Sequence, residues 1–403
     1  FLCQVISRSV DELNKAFDVD LCEYEHPDHP DRSFHTHEGD ISIPEELHDI
    51  ITSVFGLHGQ PVAKRKGLLN KKDKKAAAAA PKPEKKMEAA AKQDAPPHMP
   101  TEIADHYNFP KGLTGKGQSI AILATNFTGF YQTDLEHYFK EVVKRPMPNV
   151  KVVEVDGVKN EPGKFCGDIE ATEDIEILGA IAPGADISVY FTELNQFGII
   201  SALHEMIENK ANKHSIISIS WFSKESDWKY LMSSELKRIF FTAAKLGITV
   251  CVSSGDKGAY DGVNIFSASP FVLSCGGTEF TYKKGEPKTM ENIDGEIAWN
   301  DVFTLIKSTE TCKTTECTFW TKYGEDCPIG KGTRHEVHFA TGGGESDFYK
   351  RPDYQSYIDF KPGEKAPKPP ADPPGRLYPD LSGYAPLVDP GVDIYLHKRR
   401  FAG

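Results

Sequence analysis

Glu170 and Asp174 stand four residues apart in the stretch CGDIEATEDIEILGAIAPGADISVYF, residues 166–191. On a helix that spacing stacks both carboxylates on one face. Like charges at this spacing cost an isolated helix roughly 0.2–0.5 kcal/mol, so something else must favour the pair. A solvated acidic face is the ordinary explanation of such a sequence. Against it, the apolar residues Ile177, Leu178 and Ile181 follow directly, and the turn Ala182-Pro183-Gly184-Ala185 leads into a buried strand. The acids are therefore expected near a sheet edge. The two carboxyls of a glycosidase flank a sugar from opposite sides. Neighbours on one helix face do not, so glycoside hydrolysis is disfavoured.

A third acid, Asp256, lies in Ser253-Ser254-Gly255-Asp256-Lys257-Gly258, directly after the apolar run ITVCV. In open α/β sheets ligands collect at the carboxyl ends of strands, which is where this aspartate falls, although plain turns also use Asp freely. The run Thr341-Gly342-Gly343-Gly344-Glu345-Ser346 would let backbone approach a ligand closely, yet it lacks the spacing of a phosphate loop. Cys312, Cys317 and Cys327 precede His335 and His338 but contain no CxxC pair. A disulfide-pinned surface loop is a better reading there than a zinc site. Cys251 and Cys275 sit in apolar runs, where buried free thiols are expected. Asn126-Phe127-Thr128 is a glycosylation sequon.

From about Pro100 onward, apolar strands alternate with helices. Strands are predicted over Ser119–Ala124, Val150–Val155, Ile187–Phe191, Ser215–Ser220 and Thr249–Ser253. Helices are predicted over Asp134–Val143, Asp168–Ala182, Gly198–Lys210 and Asp227–Leu246. Short continuous apolar strands separated by helices imply a doubly wound α/β domain around a mainly parallel sheet. Residues 1–66 read as a separate small α+β unit. Ser9-x-x-Glu12 caps its first helix, and Ser42-x-x-Glu45 opens a second through Val54 and Phe55. Between the two units, residues 67–100 are rich in Lys, Ala and Pro and poor in aromatic and β-branched residues. They cannot bury enough apolar surface to offset their ordering entropy, and are expected to form a protease-accessible linker.

The 403 residues suffice for one large and one smaller domain, and no run approaches the roughly 18 uncharged apolar residues of a membrane span. A net charge of −12 disfavours nucleic acid as a partner. Residue 1 is Phe and no signal peptide is recognisable, so the natural N-terminus is expected to lie upstream.

Seven motifs occur in the order and spacing of the sedolisin family of serine-carboxyl peptidases, which includes tripeptidyl-peptidase I and the kumamolisins. They are the 166–191 stretch, SISW at 218–221, SSGDKGA at 253–259, SASPFVLSCGGT at 267–278, AWND at 298–301, TGGGES at 341–346 and GRLYPDLSG at 375–383. Upstream, SVDELNKAF and FHTHEGDISIPEELHDIITSVFGL resemble the second half of that family's prodomain, and PTEIADHYNFP resembles the start of the mature enzyme. The resemblance implies a subtilisin-like α/β fold, with residues 1–66 a partial prodomain, 67–100 the activation linker and 101–403 the peptidase domain. It implies that Glu170 is the general base, that Asp174 orients it, and that a protonated Asp256 donates to the oxyanion. It also implies that Ser218, Ser220, Trp221, Gly343 and Gly344 border the substrate. Further implications are endo- or tripeptidyl cleavage of peptides and proteins, a prodomain partner, calcium, and a secreted or lysosome-like acidic setting.

Departures from the family pattern are equally plain. The family nucleophile lies in a Gly-Thr-Ser-x-x-x-Pro segment, and the sequence contains none. The chain is expected to be cut short before that segment and before the calcium ligands, which would lie beyond Gly403. Phe222 stands where the family usually has glycine, and residues 312–327 form an insertion. The alternative to an acid-acting zymogen is an inactive pseudopeptidase serving as a binding or inhibitory module. Retention of Glu170, Asp174 and Asp256 together argues against it. A histidine-based subtilisin-like enzyme would need the same missing segment.

Overall fold

The computed structural model describes residues 9–26, 29–38, 41–47, 54, 57, 64–65, 97–163, 168–209, 211, 213–228, 230–307, 333–355, 374–386, 392–396 and 399–402. Its centre is an eight-stranded sheet. In chain order its strands are β1 (Ser119–Thr125), β2 (Asn149–Glu154), β3 (Asp186–Thr192), β4 (Ile216–Ile219), β5 (Thr249–Ser253), β6 (Leu273–Tyr282), β7 (Ile293–Ala298) and β8 (Leu381–Tyr384). Their spatial order is β7-β6-β5-β4-β1-β3-β2, with β8 also paired to β6. Every pairing is parallel except the β6–β7 hairpin.

The strand β1 explains why the sheet is covered on both sides. Its residues are apolar at successive positions, so both pleat faces must be buried. Ile120, Ile122 and Ala124 enter one core with Ile187, Val189, Phe191 and Ile175. Ala121 and Leu123 enter the opposite core with Ile199, Leu203, Leu236 and Phe240. The helix α1 (Asp168–Ile181) covers the first face, and α2 (Gln196–Glu208) with α3 (Tyr230–Lys245) covers the second. Gly179 of α1 permits close seating, since a Cβ there would lie 2.5 Å from the Phe139 ring. Asn195 caps α2 by accepting the Gly198 amide at 2.8 Å.

The predicted α/β sheet with flanking helices is therefore the architecture found. Two expectations need correction. The helix predicted over Asp134–Val143 is an α-helix over Gln132–His137 that widens to a π-turn at Tyr138–Val142. Asp227 belongs to a short 3₁₀ turn, Glu225–Asp227, and the extended backbone of Trp228 separates it from α3. In the N-terminal region the helix Val10–Phe17 is capped by Ser9, whose hydroxyl accepts the Glu12 amide at 3.3 Å, and a hairpin pairs Asp20–His26 with His29–Glu38. The second helix expected there begins as a 3₁₀ turn at Glu45–Leu47, and residues 48–53 and Phe55 lie outside the described residues. So do the cysteine insertion 312–327 and nearly all of the 67–100 linker. Cys251 and Cys275 are free but half-buried, on adjacent strands. Asn126 of the sequon donates to Glu193 at 2.6 Å. Among the described residues no helix is long and apolar enough to cross a membrane.

The strand Asp393–Leu396 docks against α1 through a fully buried acid. Glu176 Oε2 accepts the Tyr395 amide at 2.7 Å. Burial pushes this carboxyl up to about 10, opposed by the Tyr395 amide and reinforced by the nearby carboxylates of Asp393, Asp134 and Glu173. A carboxyl raised on folding stabilises the fold fully below its unfolded value, about 4.3, and loses that contribution as pH climbs toward the folded value. Wild-type protein is thus expected to lose more thermal stability than Glu176→Gln between pH 4 and pH 8. Melting curves of the two proteins that shift in parallel with pH would contradict this assignment.

Candidate active site

All parallel strands end on the same side of the sheet, and α1 begins there because it follows β2 in a crossover to β3. Asp168, at the first position of α1, is buried and accepts the Gly163 amide at 2.6 Å. Glu170, two residues on in the same turn, is 5% exposed, and Asp174, one turn beyond Glu170, is half-buried. The acid pair therefore does not form a solvated face. Ser220, immediately after β4, places its hydroxyl against both oxygens of Asp174, at 2.8 and 3.1 Å. That hydroxyl donates to one carboxylate oxygen at a time and fixes the orientation of the acid.

After Ser220 the chain forms a short strand, Trp221–Phe222. Trp221 is fully buried, and its indole N–H donates to the Leu123 carbonyl of β1 at 2.9 Å. Its side chain thus serves the core, and its backbone is what borders the site. Along that backbone the segment Lys64–Arg65 pairs antiparallel, Lys64 opposite Phe222 and Arg65 opposite Trp221. A piece of the chain's own extended backbone occupies this edge.

Asp256 lies one residue beyond the glycine that the Phe222 ring touches. It follows β5 through Gly255, whose φ of 118° is open to glycine and strained for other residues. The ring of Phe222 covers Gly255, so that a Cβ there would meet it at 3.2 Å. The Asp256 carbonyl accepts the Ala340 amide and the Gly255 carbonyl accepts the Gly342 amide, both at 2.7 Å. These bonds bring the predicted glycine run onto the predicted aspartate loop. Asp256 itself is 9% exposed.

The segment 220–222 thus has Asp174 of α1 at one end and Gly255 of the Asp256 loop at the other. Gly343 and Gly344, further along the glycine run, lie against Tyr378, with which Gly344 pairs. Ser218 is not brought into contact with the acids. It lies within the ladder between Ile122 and Cys251, on the face that Ser220 shares two residues later. No sequence signal marked Glu225, which resembles an ordinary charged residue of a loop. Burial raises its carboxyl, opposed by donation from the Ser346 hydroxyl at 2.5 Å, the Asp347 amide at 2.7 Å and the Phe348 amide at 3.1 Å. It ties the loop after Phe222 to the strand that follows the glycine run. Among the described residues, no group of three or more His, Cys, Asp or Glu side chains could hold a metal ion.

Comparison with known proteins decides the relationship. The chain is 38% identical over 307 residues to kumamolisin from Bacillus sp. (strain MN-32), an overlap that covers 74% of this chain and 52% of the relative. The chain belongs to the sedolisin family. Sedolisin from Pseudomonas sp. (strain 101) is 23% identical, covering 84% of this chain and 51% of that protein. The tripeptidyl-peptidase sed5 of Aspergillus fumigatus is 24% identical, covering 86% and 54%. The chain thus spans about half the length of the curated relatives it matches. No family model matches it. Among solved structures, Pseudomonas sedolisin, a serine-carboxyl proteinase complexed with two molecules of pseudo-iodotyrostatin, shares the fold. Its TM-score is 0.53 at 21% identity, over 77% of this chain and 76% of that one.

The contact between the two sedolisin-type loops is testable. A Cβ at Gly342 would lie 2.3 Å from the Ser254 carbonyl oxygen and 2.9 Å from Gly255 Cα. Gly342→Ala must displace backbone, and is expected to lower stability by about 1–3 kcal/mol. A urea midpoint unchanged from wild type would mean that the two loops are not packed as described.

Proposed function

We propose that the protein is an acid-acting serine-carboxyl peptidase that cleaves peptide bonds internally or releases tripeptides, and that it is made as a zymogen. The observation that carries this reading is the extended Lys64–Arg65 backbone paired on Trp221–Phe222, between the α1 acids and the Asp256 loop. An edge that accepts one peptide backbone beside three acids is equipped to accept another. Kinship with proteins named kumamolisin, sedolisin and tripeptidyl-peptidase supports the same chemistry.

In this proposal Glu170 takes the proton from an attacking serine hydroxyl, and Asp174, held by Ser220, orients it. The sequence contains no Gly-Thr-Ser-x-x-x-Pro segment, so the proposal concerns a protein that also supplies one. Asp256, kept protonated, donates to the oxyanion of the tetrahedral intermediate. The substrate backbone lies along residues 218–222 and against Gly343 and Gly344. Residues 1–66 act as the protein's own prodomain, and Lys64–Arg65 blocks the edge until the linker is cut. Calcium, which the family resemblance implies, enters no step of this proposal. Secretion or delivery to an acidic compartment fits these demands.

Activity then requires Glu170 ionised while Asp256 remains protonated, which gives a bell-shaped profile over roughly pH 3–5.5. Peptide hydrolysis by the natural, processed protein should follow that profile. Glu170→Gln and Asp256→Asn should each lower kcat by about 10²–10³ without loss of circular dichroism. Hydrolysis that climbs steadily through neutrality, or that survives both substitutions, would overturn the proposal.

A further inference from the structure

Two parts of the site meet at a residue that belongs to neither. Asn264, fully buried, lies in the loop between β5 and β6. Its side-chain nitrogen donates to the Trp221 carbonyl at 3.3 Å and to the Ser253 carbonyl at 3.0 Å. Its side-chain oxygen accepts the Ser223 amide at 3.3 Å and the Phe266 amide at 3.2 Å. Trp221 forms the peptide-pairing edge, and Ser253 is the last residue of β5, three before Asp256. The backbone of the same residue is fixed in turn. The Asn264 amide donates to the Tyr378 hydroxyl at 2.9 Å, and its carbonyl accepts the Ala268 amide at 2.9 Å. Flanking bonds from Ile265 to the Ser223 carbonyl and from Glu225 to the Val263 carbonyl prevent the loop from sliding along the strand.

We propose that Asn264 is a positioning residue, whose amide sets the distance between the strand that receives peptide backbone and the loop that presents Asp256. This rests on the peptidase reading above. Two N–H donors and one carbonyl acceptor in a single rigid plane are available only from an Asn or Gln amide. Ionised aspartate would face two carbonyl oxygens with no proton to offer. Leucine of similar size would strand two carbonyls and two amides in a dry interior. Because an oxyanion donor acts only at hydrogen-bond distance, a shift of about 1 Å between strand and loop is enough to cost roughly a hundredfold in rate.

The test is the processed natural protein with Asn264→Leu and Asn264→Asp, assayed for kcat and KM on a peptide near pH 4, with thermal unfolding measured alongside. Per folded molecule, Asn264→Leu should lower kcat about a hundredfold and raise KM, because both the donor loop and the peptide edge shift. Asn264→Asp, protonated in acid, keeps one donor and should recover part of both losses. A folded Leu variant within threefold of wild type in both constants overturns the positioning role. If the Leu variant does not fold, an Asp variant within threefold of wild type overturns it equally. In either case an active wild type leaves the peptidase reading standing. A wild-type protein inert on peptides from pH 3 to 7 removes that reading instead, and the positioning role with it.

Discussion

Everything in this structure depends on burying both faces of a parallel sheet. Strand β1 has no face to spare for water, since Ile120 and Ile122 serve one core while Ala121 and Leu123 serve the other. A sheet so enclosed can present polar chemistry only beyond the ends of its strands. Ser220 and Ser253–Asp256 therefore occur where β4 and β5 stop, and α1 opens with its acids at the same end. The aliphatic interior provides no chemistry of its own. It holds the strand ends at fixed spacing, which is the condition for a preorganised site.

At that edge the polar groups are organised by short hydrogen bonds between neighbouring loops. Ser220 holds Asp174, Glu225 gathers the start of the strand after the glycine run, and Gly342 and Ala340 clasp the Asp256 loop. Glycine is required at Gly255 and Gly342 for different reasons. Gly255 adopts a backbone angle that side chains resist, whereas Gly342 lies against the Ser254 carbonyl with no room for a methyl group. Acids with contrasting duties share α1. Asp174 meets Ser220 at the end of β4, while Glu176, less than one turn beyond it, is sealed against the strand Asp393–Leu396 and held neutral by burial.

Much of this was legible in the residues. Period and length identified β1 and β3–β5 within a residue or two, because continuous apolar runs bounded by turns have few other uses. The acid pair and Asp256 were legible through motif order, and Asp256 also through its place after an apolar strand. The π-turn at Tyr138–Val142 was not legible, since widening a helix leaves the hydrophobic spacing almost unchanged. Glu225 and the bond from Ser220 to Asp174 were invisible for another reason. Each depends on which loops converge at the sheet edge, and that is fixed by strand order rather than by any local pattern.

The short strand Trp221–Phe222 has an evolutionary consequence. Ser220 is committed to Asp174 and Trp221 to the core, so neither can vary without dismantling the acid pair or the sheet packing. Phe222, stacked over a glycine, is the one side chain of the three bound by shape alone. Of these three positions, Phe222 is therefore the one that can change with least disturbance to its neighbours. Exchanging that ring for a smaller group would uncover Gly255 while leaving the bonds of Ser220 and Trp221 untouched.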